Sequence, residues 1–81
     1  MKIIRFTASW CQPCKMLAKM LEDIENKPII EVVDIDQDSE AAVKFGIRGV
    51  PTLVKMDDNG NVVDRMVGMT TQPALEKWLN G

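Results

Sequence analysis

The 81-residue chain contains no histidine and only two cysteines, and its formal net charge is −2. Without histidine it lacks the commonest general base, the commonest metal ligand and the usual pH switch, so any chemistry has to use cysteine, carboxylates or lysine. The near-neutral charge gives no basic surface for nucleic acid, and no cluster of lysine and arginine suggests an anionic membrane. No apolar run approaches the roughly 20 residues of a membrane-spanning helix.

The number of cysteines also indicates the cellular compartment in which the protein works. Two cysteines are too few for the disulfide framework of a small secreted protein, and the segment MKIIRFTASW lacks an apolar stretch long enough for a secretory signal. We therefore expect a cytoplasmic protein in a reducing environment. The length predicts one small domain over residues 1–81, which we expect to be a monomer.

The hydrophobic pattern predicts four strands, at residues 2–7, 29–35, 52–56 and 61–67. The strand at 29–35 has the apolar density of a buried parallel strand. The last two strands are joined by Asp57-Asp58-Asn59-Gly60, which predicts a hairpin.

Three helices are predicted between and after these strands. The first begins near Gln12 and ends at 26–28, and its apolar face comprises Met16, Leu17, Met20, Leu21 and Ile24. The second is capped by Asp38 or Ser39, runs through Phe45 and is terminated by Gly46. The third is capped by Thr70 or Thr71 and carries Trp78 in its buried stripe.

The order of elements is therefore βαβαββα. Right-handed crossovers make the first two strands parallel, and the closing hairpin adds antiparallel neighbours. The predicted fold class is α/β, with a four-stranded mixed sheet and helices on both faces.

The two cysteines stand three residues apart in SWCQPCK, residues 9–15, where the first strand gives way to the first helix. This places Cys11 at the helix N-terminus and Cys14 in the first turn, so their sulfurs can close a small disulfide ring. The free N–H groups and the positive end of the helix dipole favour a thiolate on Cys11. Pro13 is tolerated in the first turn and stiffens the ring. The motif predicts that Cys11 attacks a substrate disulfide and that Cys14 resolves the mixed disulfide.

Three other interpretations of the cysteine pair stay open. A structural disulfide would close only a short loop and stabilise little. A metal site would have to be completed by carboxylates, because the chain has no histidine and no second cysteine pair. Two ordinary buried thiols would have no chemistry. We favour redox chemistry and predict no metal site.

At this point the chain resembles the thioredoxin family. The resemblance rests on WCQPCK (residues 10–15), FGIRGVPT (residues 45–52) and Gly68, in the family's order and separation, and it covers nearly the whole chain. It implies a thioredoxin-like fold in a minimal form and a protein-disulfide reductase with no cofactor of its own. Cys11 corresponds to the family's nucleophile and Cys14 to its resolving thiol.

The resemblance also implies a substrate-binding rim around the cysteines. Pro51 corresponds to the family's cis-proline, and the backbone of Val50 is expected to pair with an extended substrate segment. Trp10, Gly68 and Met69 are expected to complete the apolar surface on which substrates dock. The implied partners are disulfide-containing proteins and an NADPH-dependent flavin disulfide reductase as electron donor.

The chain also departs from the family. It begins at the strand before the motif, and its length and topology resemble those of a glutaredoxin. Gln12 stands at a position where most thioredoxins have glycine, and with Pro13 and Lys15 it is expected to tune the thiol pKa. Arg5 stands where the family usually has a buried aspartate. Our hypothesis is that Arg5 lowers the cysteine pKa electrostatically; the alternative is that its guanidinium reaches solvent or pairs with a carboxylate.

The choice of substrate leaves two alternative functions. Glutaredoxins commonly bind glutathione with a Gly-Gly pair and a following aspartate after the last strand, whereas this chain has VGMTT at residues 67–71. We therefore favour protein disulfides over glutathione. A glutaredoxin-like, glutathione-linked oxidoreductase is the alternative within the same class. A thioredoxin-like protein-binding module, whose apolar rim docks a partner, is the alternative from a different class.

Overall fold

The computed structural model describes all residues from 1 to 81, and its elements follow the predicted order. They are β1 (Lys2–Thr7), α1 (Gln12–Glu22), β2 (Ile30–Asp34), α2 (Ser39–Lys44), β3 (Thr52–Met56), β4 (Val62–Val67) and α3 (Gln72–Asn80). The strands form one sheet in the order β2-β1-β3-β4. The β1–β2 pair is parallel, and the β1–β3 and β3–β4 pairs are antiparallel. The predicted α/β class and mixed sheet are confirmed.

Alternation along β1 divides the core between the two faces of the sheet, because successive strand residues point to opposite sides. Ile3 belongs to a cluster with Leu53 and with the buried leucines of α1 and α3. Ile4 and Phe6 belong to a second cluster, against which Phe45 at the end of α2 packs. Helices therefore cover both faces, with α1 and α3 on one and α2 on the other.

The first helix ends earlier than predicted. Its α-helical part ends at Glu22, and the N–H groups of Asp23 and Ile24 then donate to carbonyls three residues back, at 3.2 Å each. This tighter turn is common at helix ends. Ile24 keeps its predicted place in the core, where its exposure is 2%.

The prediction of a buried strand at 29–35 is wrong. β2 spans Ile30–Asp34 and pairs only with β1, which places it at the edge of the sheet. Glu31 and Val32 are exposed, and β2 has a neighbouring strand on one side only. The apolar run predicted burial, but the position of a strand within a sheet is set by distant elements.

Two helical side chains also differ from their predicted burial. Met16, expected in the core, is 53% exposed. Trp78 is only partly buried: it packs against the core cluster while its Nε1 donates to Asp64 at 2.8 Å. The ammonium of Lys55 lies 4.4 Å from the centre of the Trp78 ring and donates to the Trp78 carbonyl. The amphipathic tip of Trp78 thus faces polar groups rather than the hydrophobic interior.

The remaining boundaries lie within a residue of those predicted. Asp38, not Ser39, caps α2, and Thr71, not Thr70, caps α3. Phe45 follows α2 as its C-terminal cap, and β4 begins at Val62 rather than at residue 61. None of the three helices has the length and apolar content of a membrane span.

Candidate active site

Cys11, the predicted nucleophile, is the N-cap of α1. Its backbone is extended (φ −90°, ψ 107°), and its Sγ accepts a hydrogen bond from the Cys14 N–H at 3.2 Å. A sulfur here meets unpaired helical N–H groups and the positive end of the helix dipole. Since an ionised acceptor makes a stronger hydrogen bond than a neutral one, this geometry favours the thiolate of Cys11 over its thiol.

The two cysteines form a disulfide within the first turn of the helix. Both residues are buried, Cys11 at 4% exposure and Cys14 at 1%, in a small cluster with Ala8. The partly buried side chains of Ile35 and Val50 pack against this cluster. Water is therefore largely excluded from the sulfurs, and Cys14 is enclosed more fully than Cys11.

The loop from 45 to 52 brings Val50 and Pro51 against the disulfide. The Val50–Pro51 peptide bond is cis, which is the isomer that the resemblance implies for Pro51. The Sγ of Cys11 lies 3.7 Å from the carbonyl oxygen of Val50, and Pro51 is fully buried. The backbone of Val50 makes no hydrogen bond to another backbone group. It therefore offers an N–H and a C=O without backbone partners beside the Cys11 sulfur.

Trp10 forms an exposed aromatic surface next to the disulfide. It is 67% exposed, and its Nε1 donates to the Oδ2 of Asp36 at 2.8 Å. Asp36 follows β2 just as Trp10 follows β1, and the carboxyl ends of two neighbouring parallel strands meet at one edge of a sheet. The hydrogen bond fixes the orientation of a ring that solvent alone would leave free to rotate.

Asp36 was not among the site residues predicted from the sequence. Its position in the sequence could have identified it. The first two strands were predicted to be parallel, so the residues that follow them, Trp10 and Asp36, lie at the same edge of the sheet. Asp34, the last residue of β2, has a structural role: its Oδ1 accepts from the Asp36 N–H at 2.9 Å.

Gly68 and Met69 follow β4 directly and join the site through Pro51. The Gly68 N–H donates to the Pro51 carbonyl at 2.9 Å. Gly68 has a φ of +81°, a conformation open to glycine but strained for other residues. Met69 follows it with 42% of its surface exposed, so it is available as an apolar contact.

The residues predicted to tune the thiol pKa lie in two separate places. Gln12, Pro13 and Lys15 lie in the first turn of α1 and are exposed around the cysteines. Arg5 lies elsewhere: it lines a crevice of about 220 Å³ between α1 and β2, and neither cysteine lines that crevice. Burial lowers the pKa of Arg5 by desolvation. Arg5 makes no ion pair, so the pairing with a carboxylate that we considered is not formed.

Comparison with known proteins identifies the family of the chain. The family model described as Thioredoxin matches residues 1–81. A thioredoxin of Bacillus subtilis is 39% identical over 79 residues, covering 93% of this chain and 75% of the relative. A thioredoxin of Buchnera aphidicola is 39% identical over 82 residues, covering 96% of this chain and 74% of the relative.

Solved structures show the same similarity in three dimensions. A mutant thioredoxin from Halobacterium salinarum superposes with a TM-score of 0.86 at 33% identity, covering 98% of this chain and 71% of that one. A thioredoxin from Malassezia sympodialis superposes with a TM-score of 0.82 at 34% identity, with the same coverage of the two chains.

Proposed function

The chain belongs to the thioredoxin family and is a thiol–disulfide oxidoreductase, and from this premise we propose that it reduces protein disulfides with Cys11 as nucleophile and Cys14 as resolving thiol. The observation that carries this assignment is the position of Cys11. Its sulfur caps α1 and lies beside an unpaired backbone segment at Val50. Cys14 is enclosed more fully and stands beside the Cys11 sulfur, which it attacks once Cys11 is joined to the substrate.

The reaction proceeds by two exchanges. The Cys11 thiolate attacks one sulfur of the substrate disulfide, forming a mixed disulfide, and the other substrate sulfur leaves as a thiolate that takes up a proton. Cys14 then gives up its proton and attacks the Cys11 Sγ, releasing the second substrate thiolate. Two electrons pass to the substrate, and the protein is left with the Cys11–Cys14 disulfide seen in the structure.

The rim around the disulfide is proposed to position the substrate. An extended segment that pairs with the Val50 backbone is held beside Cys11, in the manner of a short added strand. Trp10, Gly68 and Met69 supply apolar contacts on either side, and Asp36 acts as a positioning residue that holds the Trp10 ring. Pro51 supports the Val50 backbone from beneath.

The residues around the cysteines are proposed to set the thiolate population. Gln12 and Pro13 shape the ring between the two sulfurs, and the cation of Lys15 favours a nearby thiolate. Arg5 adds positive charge that acts in the same direction across a longer distance. Its influence is weaker than that of the helix terminus because it does not contact either sulfur.

We also propose the setting in which the chain works. It acts as a single domain over residues 1–81 and as a monomer, because the proposed site is built from residues of one chain. An NADPH-dependent flavin disulfide reductase is the proposed electron donor, because the disulfide has to be reduced again after each turnover. A dithiol reductant requires a reducing compartment, so the cytoplasm is the proposed location.

Trapping the mixed disulfide tests the two cysteine roles. The Cys14→Ser variant, incubated with a protein that carries one exposed disulfide, is expected to accumulate a covalent adduct that dithiothreitol releases. Cys11→Ser is the matched control and should form none, because its remaining thiol is enclosed. Non-reducing gels and intact mass measure the adduct. Adduct formation by Cys11→Ser alone would show that the roles are reversed.

The reduction potential tests the direction of electron flow. We expect a value below the cytosolic glutathione poise of roughly −220 to −260 mV, measured by equilibration against defined thiol–disulfide buffers and thiol trapping. A value at or above that poise would contradict a reductase of proteins. It would place the chain with glutathione-linked or oxidising proteins instead.

A further inference from the structure

The outer edge of β2 carries backbone groups that no strand pairs. The Ile29 carbonyl and the Ile35 N–H bond to β1, and successive residues of a strand direct these groups to opposite sides. The backbone groups of Ile30 and Val32, and the N–H of Asp34, therefore point away from the sheet. Unpaired edges of this kind are templates for the addition of another strand.

The crevice that contains Arg5 opens beside the same edge. Arg5 and Val32 are paired in the parallel register of β1 and β2, so their side chains lie on the same face of the sheet. Both line the crevice, together with Ile30, Leu21 and Lys27. Val32 is 54% exposed. An apolar wall and a guanidinium thus lie next to the unpaired backbone.

The charges in the crevice are not balanced by the chain itself. The Arg5 side chain forms no ion pair, although the residue is partly buried. The Lys27 ammonium donates to the Ile24 carbonyl at 2.8 Å and adds a second cation. Glu22 is the one carboxylate of the crevice, which leaves a net charge of +1. A partly buried cation without an ion pair attracts an anion more strongly than a fully solvated one.

We propose that the outer edge of β2 is a docking site for an extended peptide segment of a partner protein, with a glutamate or aspartate side chain directed toward Arg5. The segment adds a strand next to β2 and satisfies the backbone groups of Ile30, Val32 and Asp34. The side chain opposite Val32 lies on the face that contains Arg5, and long side chains reach across neighbouring strands. The carboxylate supplies the charge that the crevice lacks.

This surface is separate from the redox site. Peptide docking there forms no bond to sulfur, and the site lies along β2 rather than around Val50 and the disulfide. The edge therefore allows a partner to remain bound while the cysteines exchange electrons.

The test uses two synthetic peptides of seven residues, acetylated and amidated, that alternate valine and threonine and differ only at the centre. One carries glutamate there and the other glutamine. Titration into isotope-labelled protein is expected to shift the amide signals of Ile30, Val32 and Asp34. The glutamate peptide should bind about threefold to fivefold more tightly, the range of a solvent-accessible ion pair. Equal affinities, or no shifts at β2 at millimolar peptide, would overturn the proposal.

Charge variants test the role of the crevice. Arg5→Leu should remove the preference for glutamate over glutamine, whereas Arg65→Leu, on the opposite edge strand, should leave it unchanged. Glu22→Gln should increase the preference, because it removes the one negative charge of the crevice, which repels an incoming glutamate. A preference that survives Arg5→Leu would show that Arg5 does not receive the carboxylate.

Backbone variants test strand addition. Val32→Pro removes an outward N–H and should abolish binding of both peptides, while Val32→Thr keeps this donor and should retain it. Thermal unfolding establishes whether Val32→Pro folds; if it does not, the comparison of the two peptides and the Arg5 variants still decides. The double variant Cys11→Ser, Cys14→Ser should bind both peptides as the parent does. Loss of binding in this double variant would overturn the assignment of the edge to a peptide partner. So would a dimer of the chain that forms with rising protein concentration and that the peptide does not dissociate.

Discussion

Asp64 shows how single hydrogen bonds set the protonation of an exposed carboxyl group. Its Oδ2 accepts from the Trp78 Nε1 at 2.8 Å, and its Oδ1 accepts from the Arg65 N–H at 2.8 Å. Both bonds favour the charged form, so the pKa of Asp64 lies below its ordinary value, with the Trp78 bond as the larger cause. The pairing stabilises the fold above the unfolded pKa, and this stabilisation is lost as pH falls through the folded one.

Trp78→Phe is therefore expected to raise the pKa of Asp64, because it removes the indole donor and leaves the Arg65 bond in place. Carboxyl signals followed by NMR during a pH titration measure this change. Asp58 is an internal control: its pKa is lowered by the N-terminal ammonium and should not move. The difference in free energy of unfolding between the parent and Trp78→Phe should also become smaller below about pH 4, as Asp64 becomes protonated in both. An unchanged Asp64 titration would contradict this account.

Gly46 forms the turn that ends the short helix α2. The N–H of Gly46 donates to the Val43 carbonyl at 3.1 Å, and the N–H of Ile47 donates to the Ala42 carbonyl at 2.8 Å. These bonds form the Schellman pattern, which needs a left-handed residue at the position of the glycine. Gly46 has a φ of +65°. The turn directs the chain from α2 into the loop that carries Val50 and Pro51.

Gly46→Ala is expected to lower the free energy of unfolding by about 1 kcal/mol, the cost of a side chain in the left-handed region. Gly49→Ala is the matched control. A Cβ at either position meets no atom within 4 Å, but only Gly46 has a positive φ. Urea denaturation at equilibrium measures both variants. Equal losses would show that the left-handed conformation of Gly46 is not the cause.

The stability of the whole molecule depends on a few helical leucines that attach α1 and α3 to the sheet. Leu75 has 0% exposure and belongs to the cluster that includes Ile3 and Leu53. A domain of this length is stabilised by roughly 4 to 12 kcal/mol in total. Loss of one such side chain therefore removes a large part of the stability of the entire fold.

Leu75→Ala is expected to destabilise the protein by about 2 to 5 kcal/mol, through lost apolar burial and the cavity left behind. Met16→Ala should change stability by less than about 0.5 kcal/mol, because Met16 is exposed. Thermal and urea unfolding measure both. A large loss in Met16→Ala would contradict its placement outside the core and favour the burial first expected from its helical spacing.

Much of the redox centre was predictable from neighbouring residues alone. The change from a β pattern to a helical one at residues 9–15 determined that Cys11 would cap a helix and that Cys14 would face it from the first turn. Gly46 and the cap at Asp38 were readable for the same reason. Such features depend on backbone sterics and hydrogen bonds that span three or four residues, so a short window of sequence contains their causes.

Only the tertiary structure decided which distant groups meet. The contact between Cys11 and the Val50 carbonyl joins residues 39 positions apart, and the bond from Trp10 to Asp36 joins residues 26 apart. The place of β2 at the edge, and with it the exposure of Val32, follows from the order of strands in the sheet. An apolar run in the sequence records the tendency of a strand to be buried, but its actual burial depends on which elements pack beside it. The sequence by itself thus determined the local chemistry of the cysteine pair, and the packing of remote elements determined the surfaces available around it.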